Sequence, residues 1–341
     1  MLSADLPIID VIRRIRAHES VDVNVSPSLI ADVLSCGTLG WVRHVEGYCG
    51  RGERIKLVAG QAIHAGIAAN LEGKTQAEAM EASRAIYEPA FGALSPDELP
   101  DEAYLPANLA KLLQRWIETH PTHELPWQSV LKVEDAFESR VFEFGAVRVH
   151  LIVRPDAVVE DKFTLIRWMD TKTTGWRIGD SGWIQNLRLS IQGGLYSDAI
   201  VQQYGARASL GGWFNAMEIR KLPGASPPTL KKDGTPAKAR TCPEHGVPYA
   251  ECGPEHAKTG FVECMLSPER IERAVIDARR GAEKFLMLLA TVDPTVLDMD
   301  GTAHGECRFC SNADWCEANR IAAALPSMLK HDPWVISEGK R

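Results

Sequence analysis

The sequence is short of long apolar runs and of positive charge, and both shortages limit what the protein can be. No apolar run approaches the roughly 18 residues that a membrane-spanning helix needs, so we expect no membrane association. The start of the chain lacks a basic region followed by an apolar stretch, and we expect no signal peptide. The 38 basic and 45 acidic side chains give a net charge of −7. This charge argues against indiscriminate binding to nucleic acid but not against a local basic groove.

Length and composition are otherwise ordinary. The 341 residues suggest about two domains, and an apolar content of 45% with a charged content of 24% is typical of a soluble globular protein. We expect a chain without an export signal to stay in the reducing cytoplasm. Its eight cysteines then favour metal ligation or free thiols over a disulfide framework.

Apolar periodicity changes along the chain from helical to strand-like and back. Helical spacing covers 26–47, 54–73 and 183–205, whereas strand alternation covers 129–173 and 208–221. We therefore expect an α/β fold with a mixed central sheet flanked by helices. The predicted regions are an N-terminal helical region (1–128), a central core (129–221), a basic Cys/His-bearing insertion (222–264) and a C-terminal region (265–341).

The C-terminal region begins with the clearest long helix, predicted over 267–292. Ser267 and Pro268 supply an N-cap residue and a first-turn proline, and Glu269 suits the positive end of the helix dipole. These three residues predict where the helix begins.

The stretch "TLIRWMDTKTTG" (164–175) starts as an apolar strand but ends with two charges on one face, Asp170 and Lys172. A turn at 160–163 would pair this strand with the preceding one and bring Asp156 close to Asp170. Two adjacent carboxylates repel each other when both are ionised, unless a cation lies between them. Oxygen ligands suit Mg²⁺ or Mn²⁺. A surface hairpin with a plain salt bridge is the alternative.

In this order the residues resemble the signature of the PD-(D/E)XK nucleases, with "RPD" at 154–156 followed by "DTK" at 170–172. They are similar, more narrowly, to the RecB-like branch, which includes the iron–sulfur exonucleases of CRISPR adaptation and of phage. That branch adds a histidine on an upstream helix, matched by His64 in "GQAIHAGI". It also adds a Q-x-x-x-Y helix, matched by Gln192 and Tyr196. The resemblance implies a restriction-endonuclease-like core.

The resemblance also implies roles for these residues. The metal ligands would be His64, Asp156, Asp170 and the backbone carbonyl of Thr171. Lys172 would be catalytic, and Gln192 and Tyr196, which share a helix face, would help to hold the lysine or the DNA. Taken singly, a helical histidine or a Gln–Tyr pair is more often ordinary packing than part of a site.

Three cysteines lie close together in "CRFCSNADWC", at positions 307, 310 and 316. Their spacing alone fits structural zinc as well as an iron–sulfur cluster. The resembling iron–sulfur nucleases take one cysteine from an N-terminal helix and three from a C-terminal cluster of this spacing. The resemblance therefore implies a 4Fe–4S cluster that joins the two chain ends in a helical subdomain, with zinc in the same pocket as the alternative. Its ligands would be Cys36, Cys307, Cys310 and Cys316.

The insertion carries a second set of metal-ligand types and a concentration of charge. Zinc or merely spare thiols would account for Cys242, His245, Cys252 and His256. Six basic residues and one acidic residue lie between Arg220 and Arg240, which indicates either a solvated loop or a phosphate contact. Base stacking or core packing would account for Trp176, Trp183 and Trp213.

Together these features predict a Mg²⁺- or Mn²⁺-dependent DNA exonuclease that hydrolyses phosphodiester bonds. The resemblance implies DNA end processing in recombination, repair or CRISPR-type adaptation, in the cytoplasm of a bacterial or phage-infected cell. Single-stranded DNA or duplex ends would be bound, together with proteins of recombination or CRISPR-type systems. The alternatives are a non-cleaving nucleic-acid-binding scaffold and a zinc- or cluster-based regulatory module.

Overall fold

The structure is a computed structural model that describes residues 8–50, 53–94, 102–120, 125–175, 178, 180–219, 258–291 and 329–331. The helices in these ranges are α1 (Ile8–Arg16), α2 (Pro27–Ser35), α3 (Gly37–His44), α4 (Glu53–Leu71), α5 (Gln76–Gly92), α6 (Pro106–Thr119), α7 (Ser181–Leu189), α8 (Ile191–Tyr204) and α9 (Pro268–Thr291). The strands are β1 (Val21–Val25), β2 (Tyr48–Gly50), β3 (Trp127–Val133), β4 (Phe137–Phe144), β5 (Val147–Val153), β6 (Ala157–Asp161), β7 (Ile166–Thr174), β8 (Ala208–Glu218), β9 (Thr259–Met265) and β10 (Leu329–His331).

The largest sheet has five strands in the order β3-β6-β7-β8-β9. Strands β7 and β8 are parallel, and the other pairs are antiparallel. The parallel pair is connected through α7 and α8, as a parallel connection requires a long crossover. The prediction of a mixed α/β fold with helices around the sheet is confirmed.

Side chains of the central strands alternate between the two faces of the sheet and pack in two separate hydrophobic cores. Trp168 and Phe214 point into a core shared with α8, α9 and a second sheet. Met169 and Met217, their neighbours on the opposite face, pack in a core with α4, α5 and α6. Both faces of the sheet are therefore covered, which is why its inner strands β6, β7 and β8 are almost continuously buried.

The second sheet has three strands in the order β1-β5-β4, and β1 runs parallel to β5. The region predicted as N-terminal and helical, 1–128, also contains a strand, because Val21–Val25 pairs with β5 much later in the chain. The insertion is predicted over 222–264. Its last residues form β9, which pairs with β8 at the edge of the central sheet.

The predicted helices are present, with two interruptions. The single helix expected over 26–47 breaks at Cys36, whose extended backbone (φ −160°, ψ 123°) ends α2 and precedes α3. The helix expected over 183–205 breaks at Ser190, which caps α8 by accepting from the backbone N–H of Gly193. Ser267 caps α9 as predicted, since it accepts from the backbone N–H of Arg270 at 3.3 Å.

Helix α8 is the element that holds the layers together. A Cβ atom on Gly194 would lie 2.4 Å from Cβ of Ala274, so α8 and α9 can approach this closely only with glycine at that position. On another side of the helix, the buried carboxylate of Asp198 accepts from Ser139 at 2.9 Å and from both Nε and Nη2 of Arg140 at 2.9 and 2.6 Å. These contacts fix α8 against β4 and α9.

Among the helices that the structure describes, none is both long and apolar enough to cross a bilayer.

An ionic cluster joins the three strands of the smaller sheet. His150 on β5 contacts Asp22 on β1 through Nε2 at 2.9 Å and Glu138 on β4 through Nδ1 at 2.7 Å. Arg148 also contacts Asp22 at 2.9 Å. Burial lowers the pKa of His150, but the two flanking carboxylates outweigh burial and raise it above the ordinary value.

We expect the stability of the protein to depend on the charge of His150. Because its folded-state pKa is raised, the stabilisation is complete below about pH 6.5, the ordinary pKa of histidine. It is lost as pH rises through the higher folded-state pKa. Urea unfolding of wild type and His150→Gln should give a difference in free energy that is constant below about pH 6.5 and shrinks as pH rises above it. A difference that stays constant or grows above this pH would contradict this role, and His18→Gln, at an exposed histidine outside the cluster, is the matched control.

Candidate active site

The predicted hairpin is present and is formed by β6 and β7. Ala157 pairs with Met169, and one further step in this antiparallel register brings Asp156 opposite Asp170. At the other end, Asp161 closes the turn by accepting from the backbone N–H groups of Phe163 at 2.8 Å and Leu165 at 2.9 Å. The hairpin thus brings the two predicted acidic ligands to one end of two neighbouring strands.

Asp156 is buried and bonded through both carboxylate oxygens. Its Oδ1 lies 2.9 Å from Nδ1 of His64 on α4. Its Oδ2 accepts from the backbone N–H of Thr171 at 2.5 Å. Burial raises the pKa of Asp156, but His64 and the Thr171 N–H outweigh burial and hold it below its usual value.

His64 is the positive partner of this carboxylate. Burial lowers the pKa of His64, whereas the charge and hydrogen bond of Asp156 raise it, and the result is a pKa of about 9. The two side chains therefore form an ion pair between α4 and the hairpin at neutral pH. The structure brings together the histidine and the first aspartate that the sequence singled out.

Asp170 is almost fully buried at the same end of the hairpin. Its Oδ1 accepts from the hydroxyl of Tyr196 at 2.9 Å, and its Oδ2 lies 2.6 Å from Nζ of Lys172. The contact of Oδ2 with the ammonium is a salt bridge that holds Lys172 beside the carboxylate. Burial raises the pKa of Asp170 and the charge of Asp156 adds to this, while Lys172 only partly offsets them.

Gln192 and Tyr196 meet on one face of α8, as predicted. Nε2 of Gln192 donates to the Tyr196 hydroxyl at 2.6 Å. That hydroxyl lies 2.9 Å from Asp170 and 3.1 Å from the backbone carbonyl of Arg154, and it can donate its one proton to either. Burial raises the pKa of Tyr196 well above its usual value, which keeps it a donor. The tyrosine thus holds the second aspartate.

Glu134 is a further ionisable residue of the site, which the sequence analysis missed. Ligand atoms of Glu134, His64 and Asp156 all lie within 4.8 Å of one another. Glu134 follows β3 with a left-handed backbone (φ +50°), and its N–H donates to the Asp156 carbonyl at 2.9 Å. Such a conformation is costly for a residue with a side chain, and strained residues of this kind cluster at functional sites. Burial and the charge of Asp156 raise the pKa of Glu134 to about 7.

The donor set fits a small divalent cation. Carboxylate oxygens, an imidazole nitrogen and a backbone carbonyl are ligand types that Mg²⁺ and Mn²⁺ accept in proteins. Ligand atoms of His64, Glu134 and Asp156 lie within 4.8 Å of one another, which is close enough for them to share one cation. The concentration of three carboxylates in a mostly buried site likewise favours a bound cation.

Several predicted site residues lie outside the described residues. These are the cysteines Cys307, Cys310 and Cys316, the insertion residues Cys242, His245, Cys252 and His256, the basic run from Arg220 to Arg240, and Trp176.

Of the remaining predicted residues, Cys36 lies half-buried between α2 and α3, and Trp183 is half-buried on α7. Trp213 packs in the core beneath the guanidinium of Arg167 and beside Trp127, at ring distances of 4.7 and 5.9 Å. The core-packing interpretation holds for Trp213, which is too buried to stack on a base.

Comparisons with known proteins agree with this geometry at the level of the superfamily. The sequence profile of the PD-(D/E)XK nuclease superfamily matches residues 24–317. No curated protein matches the chain. The crystal structure of a protein named SSO0001 aligns over 91% of this chain and 94% of its own, with 10% sequence identity and a TM-score of 0.32, which is too low to support any argument. Because the profile spans most of the chain and includes every residue of the site, the chain belongs to the PD-(D/E)XK nuclease superfamily.

Proposed function

We propose that the protein is a metal-dependent DNA exonuclease whose centre is the end of the β6–β7 hairpin. The observation that carries the proposal is the convergence of two buried carboxylates, one lysine and one histidine at that end. Superfamily membership supports hydrolysis of nucleic acid. The choice of DNA and of an exonucleolytic mode rests on the resemblance to the RecB-like branch.

The cation would be held by His64, Asp156, Asp170 and the carbonyl of Thr171. A bound Mg²⁺ or Mn²⁺ supplies charge for the scissile phosphate and lowers the pKa of a bound water. Asp156 is already oriented for this role by its hydrogen bond from the Thr171 N–H. Tyr196 fixes the carboxylate plane of Asp170, so little side-chain ordering remains to be done on binding.

Lys172 is the group that would face the substrate. Its ammonium is anchored by Asp170 at 2.6 Å, yet 29% of the side chain remains exposed, in contrast to 3% of Asp170. An ammonium in this position can donate hydrogen bonds to a phosphate oxygen or to the attacking water. Its positive charge would stabilise the negative charge that develops on the phosphate.

We further propose that Cys36 and the three C-terminal cysteines bind a 4Fe–4S cluster. Cys36 lies at the break between α2 and α3, where the extended backbone leaves it half-buried. Helix α9 packs against both α2 and α1, and near its C-terminal end the backbone carbonyl of Leu289 accepts from Nε of Arg16 at 3.3 Å. A cluster would close this long loop and stabilise the nuclease core, as a disulfide does in the chain-entropy model.

The nuclease proposal predicts that two shape-conserving substitutions abolish activity. Asp170→Asn keeps the acceptor for Tyr196 but loses the charge, and Lys172→Met keeps the apolar stem but loses the ammonium. Each should slow Mn²⁺-dependent degradation of end-labelled DNA by about 10²–10⁴-fold, the range typical for removal of a catalytic group. Single-stranded, linear duplex and covalently closed circular DNA should be compared, with chelator as the blank.

Lys162→Met, in the exposed turn of the same hairpin, is the matched control and should retain full activity. Degradation of linear but not circular DNA would support the exonuclease mode, whereas cleavage of circles would show an endonuclease. If the wild type binds DNA but cuts none of these substrates, the proposed nuclease activity is overturned. The alternative, a non-cleaving nucleic-acid-binding scaffold, would then be favoured.

A second prediction concerns Glu134. If its carboxylate contributes to the cation site, Glu134→Gln should weaken Mn²⁺ binding by about tenfold, since it removes one ligand charge without changing shape. Titration of Mn²⁺ by electron paramagnetic resonance measures this affinity directly. Glu143→Gln, at an exposed position of β4, is the control. Equal affinities in the two variants would remove Glu134 from the site.

A third prediction concerns the cysteines. Protein purified without oxygen should be brown, because a thiolate-bound iron–sulfur cluster absorbs visible light whereas zinc is colourless. Cys36→Ser should lose most of the iron. Cys264→Ala should retain it, because Cys264 is buried in β9 and is not among the proposed ligands. A colourless wild-type protein that carries one zinc ion per chain would show that the cysteines bind zinc and not an iron–sulfur cluster.

A further inference from the structure

Two buried polar contacts lie behind the site, in the core between the central sheet and α6. Asn215 on β8 has no exposed surface, and Trp116 on α6 has none either. Nε1 of Trp116 donates to Oδ1 of Asn215 at 2.9 Å. Nδ2 of Asn215 donates in turn to Oγ1 of Thr171 at 3.2 Å.

The direction of these bonds follows from their first member. An indole N–H can only donate, so the Asn215 oxygen must face Trp116 and the Asn215 NH₂ group must face the threonine. The hydroxyl of Thr171 therefore acts as the acceptor in its bond with Asn215. Because threonine is β-branched, this hydrogen bond fixes χ1 of Thr171. The value of χ1 sets the position of the hydroxyl relative to the Thr171 backbone.

Thr171 contributes two backbone groups to the proposed cation site. Its N–H donates to Oδ2 of Asp156, and its carbonyl is a proposed ligand. The register of the parallel pair places Thr171 directly beside Asn215, so the two side chains share one face of the sheet. A shift of Thr171 would move one ligand and release the hydrogen bond that orients another.

A buried amide also has a cost that an apolar residue would not have. The surrounding core is lined by residues such as Met169 and Met217, and a leucine in place of Asn215 would avoid the desolvation of the amide. A fully satisfied polar network gives directional rigidity in exchange for that cost.

We propose that Asn215 is a positioning residue for the cation site, and that the chain of bonds Trp116–Asn215–Thr171–Asp156 transmits the position of α6 to the metal ligands. The inference rests on the proposed function, because it requires a cation at the Thr171 carbonyl. Neither Trp116 nor Asn215 touches the substrate or the cation. Partners of metal ligands typically change metal affinity by 10–100-fold when they are replaced.

The test is a Mn²⁺ titration of the DNA-free full-length protein, followed by electron paramagnetic resonance. Asn215→Leu should raise the dissociation constant for Mn²⁺ by about tenfold or more. Thr171→Val removes only the hydroxyl and should weaken binding in the same direction even if the leucine variant folds poorly. The double variant should be no weaker than the worse single variant, because both changes break the same hydrogen bond.

Tyr87→Phe is the matched control, since it also removes a hydrogen bond of a buried side chain, but one that lies on α5 and reaches the backbone carbonyl of Tyr104. It should lower the melting temperature without changing Mn²⁺ affinity. DNA cleavage at saturating Mn²⁺ should recover most of its rate in Asn215→Leu, which a general folding defect would not allow.

The contrary outcomes are separable. Wild-type affinity for Mn²⁺ in both Asn215→Leu and Thr171→Val would overturn the positioning role and leave the nuclease proposal intact. Additive losses in the double variant would also overturn it, because the two residues would then act independently. A wild-type protein that neither binds Mn²⁺ nor cleaves DNA would overturn both proposals.

Discussion

A single buried carboxylate links the parts of this molecule that must meet for its chemistry. Asp156 accepts from Thr171 on the next strand and contacts His64 on α4, so it joins the hairpin to the helical layer. A carboxylate with this little exposure is tolerated only because both oxygens have partners. The same partners fix the orientation of the carboxylate, which is a ligand in the proposed cation site. Stability and site geometry therefore depend on the same contacts.

The site lies where three layers meet, and each layer contributes a different kind of group. Helix α4 supplies the imidazole of His64, and the central sheet supplies the carboxylates and the ammonium. Helix α8 supplies the hydroxyl of Tyr196, which reaches both Asp170 and the backbone that leads into β6. Because α8 is fixed by its close contact with α9 and by the ion pair of Asp198, the tyrosine is held by packing outside the site. Mostly buried neighbours of this kind keep ligands oriented without substrate.

The sequence analysis predicted the features that depend on nearby residues. It missed the features that depend on contacts with residues far away in the chain. The hairpin, its turn and the Gln192–Tyr196 face follow from periodicity and spacing within a few residues. Glu134 could not be recognised in this way, because its importance comes from a left-handed backbone and a hydrogen bond to Asp156, which neither the type nor the spacing of the residue reveals. Strand β1 has alternating valines, but its role was hidden because its partner, β5, lies much later in the chain. The buried Asn215 likewise gives no signal in a strand that is otherwise apolar.

The distribution of the site along the chain has a consequence for its synthesis. The groups that form the site enter in the order His64, Glu134, Asp156, Asp170 and Tyr196, and the parallel partner of β7 comes later still, at Ala208–Glu218. During synthesis β7 can pair with β6, but its other edge has no partner until β8 has emerged from the ribosome. A half-made chain therefore holds the acidic residues without the rigid frame that aligns them. For an enzyme of the proposed kind, cutting activity would not appear before at least 218 of the 341 residues, nearly two-thirds of the chain, have been synthesised.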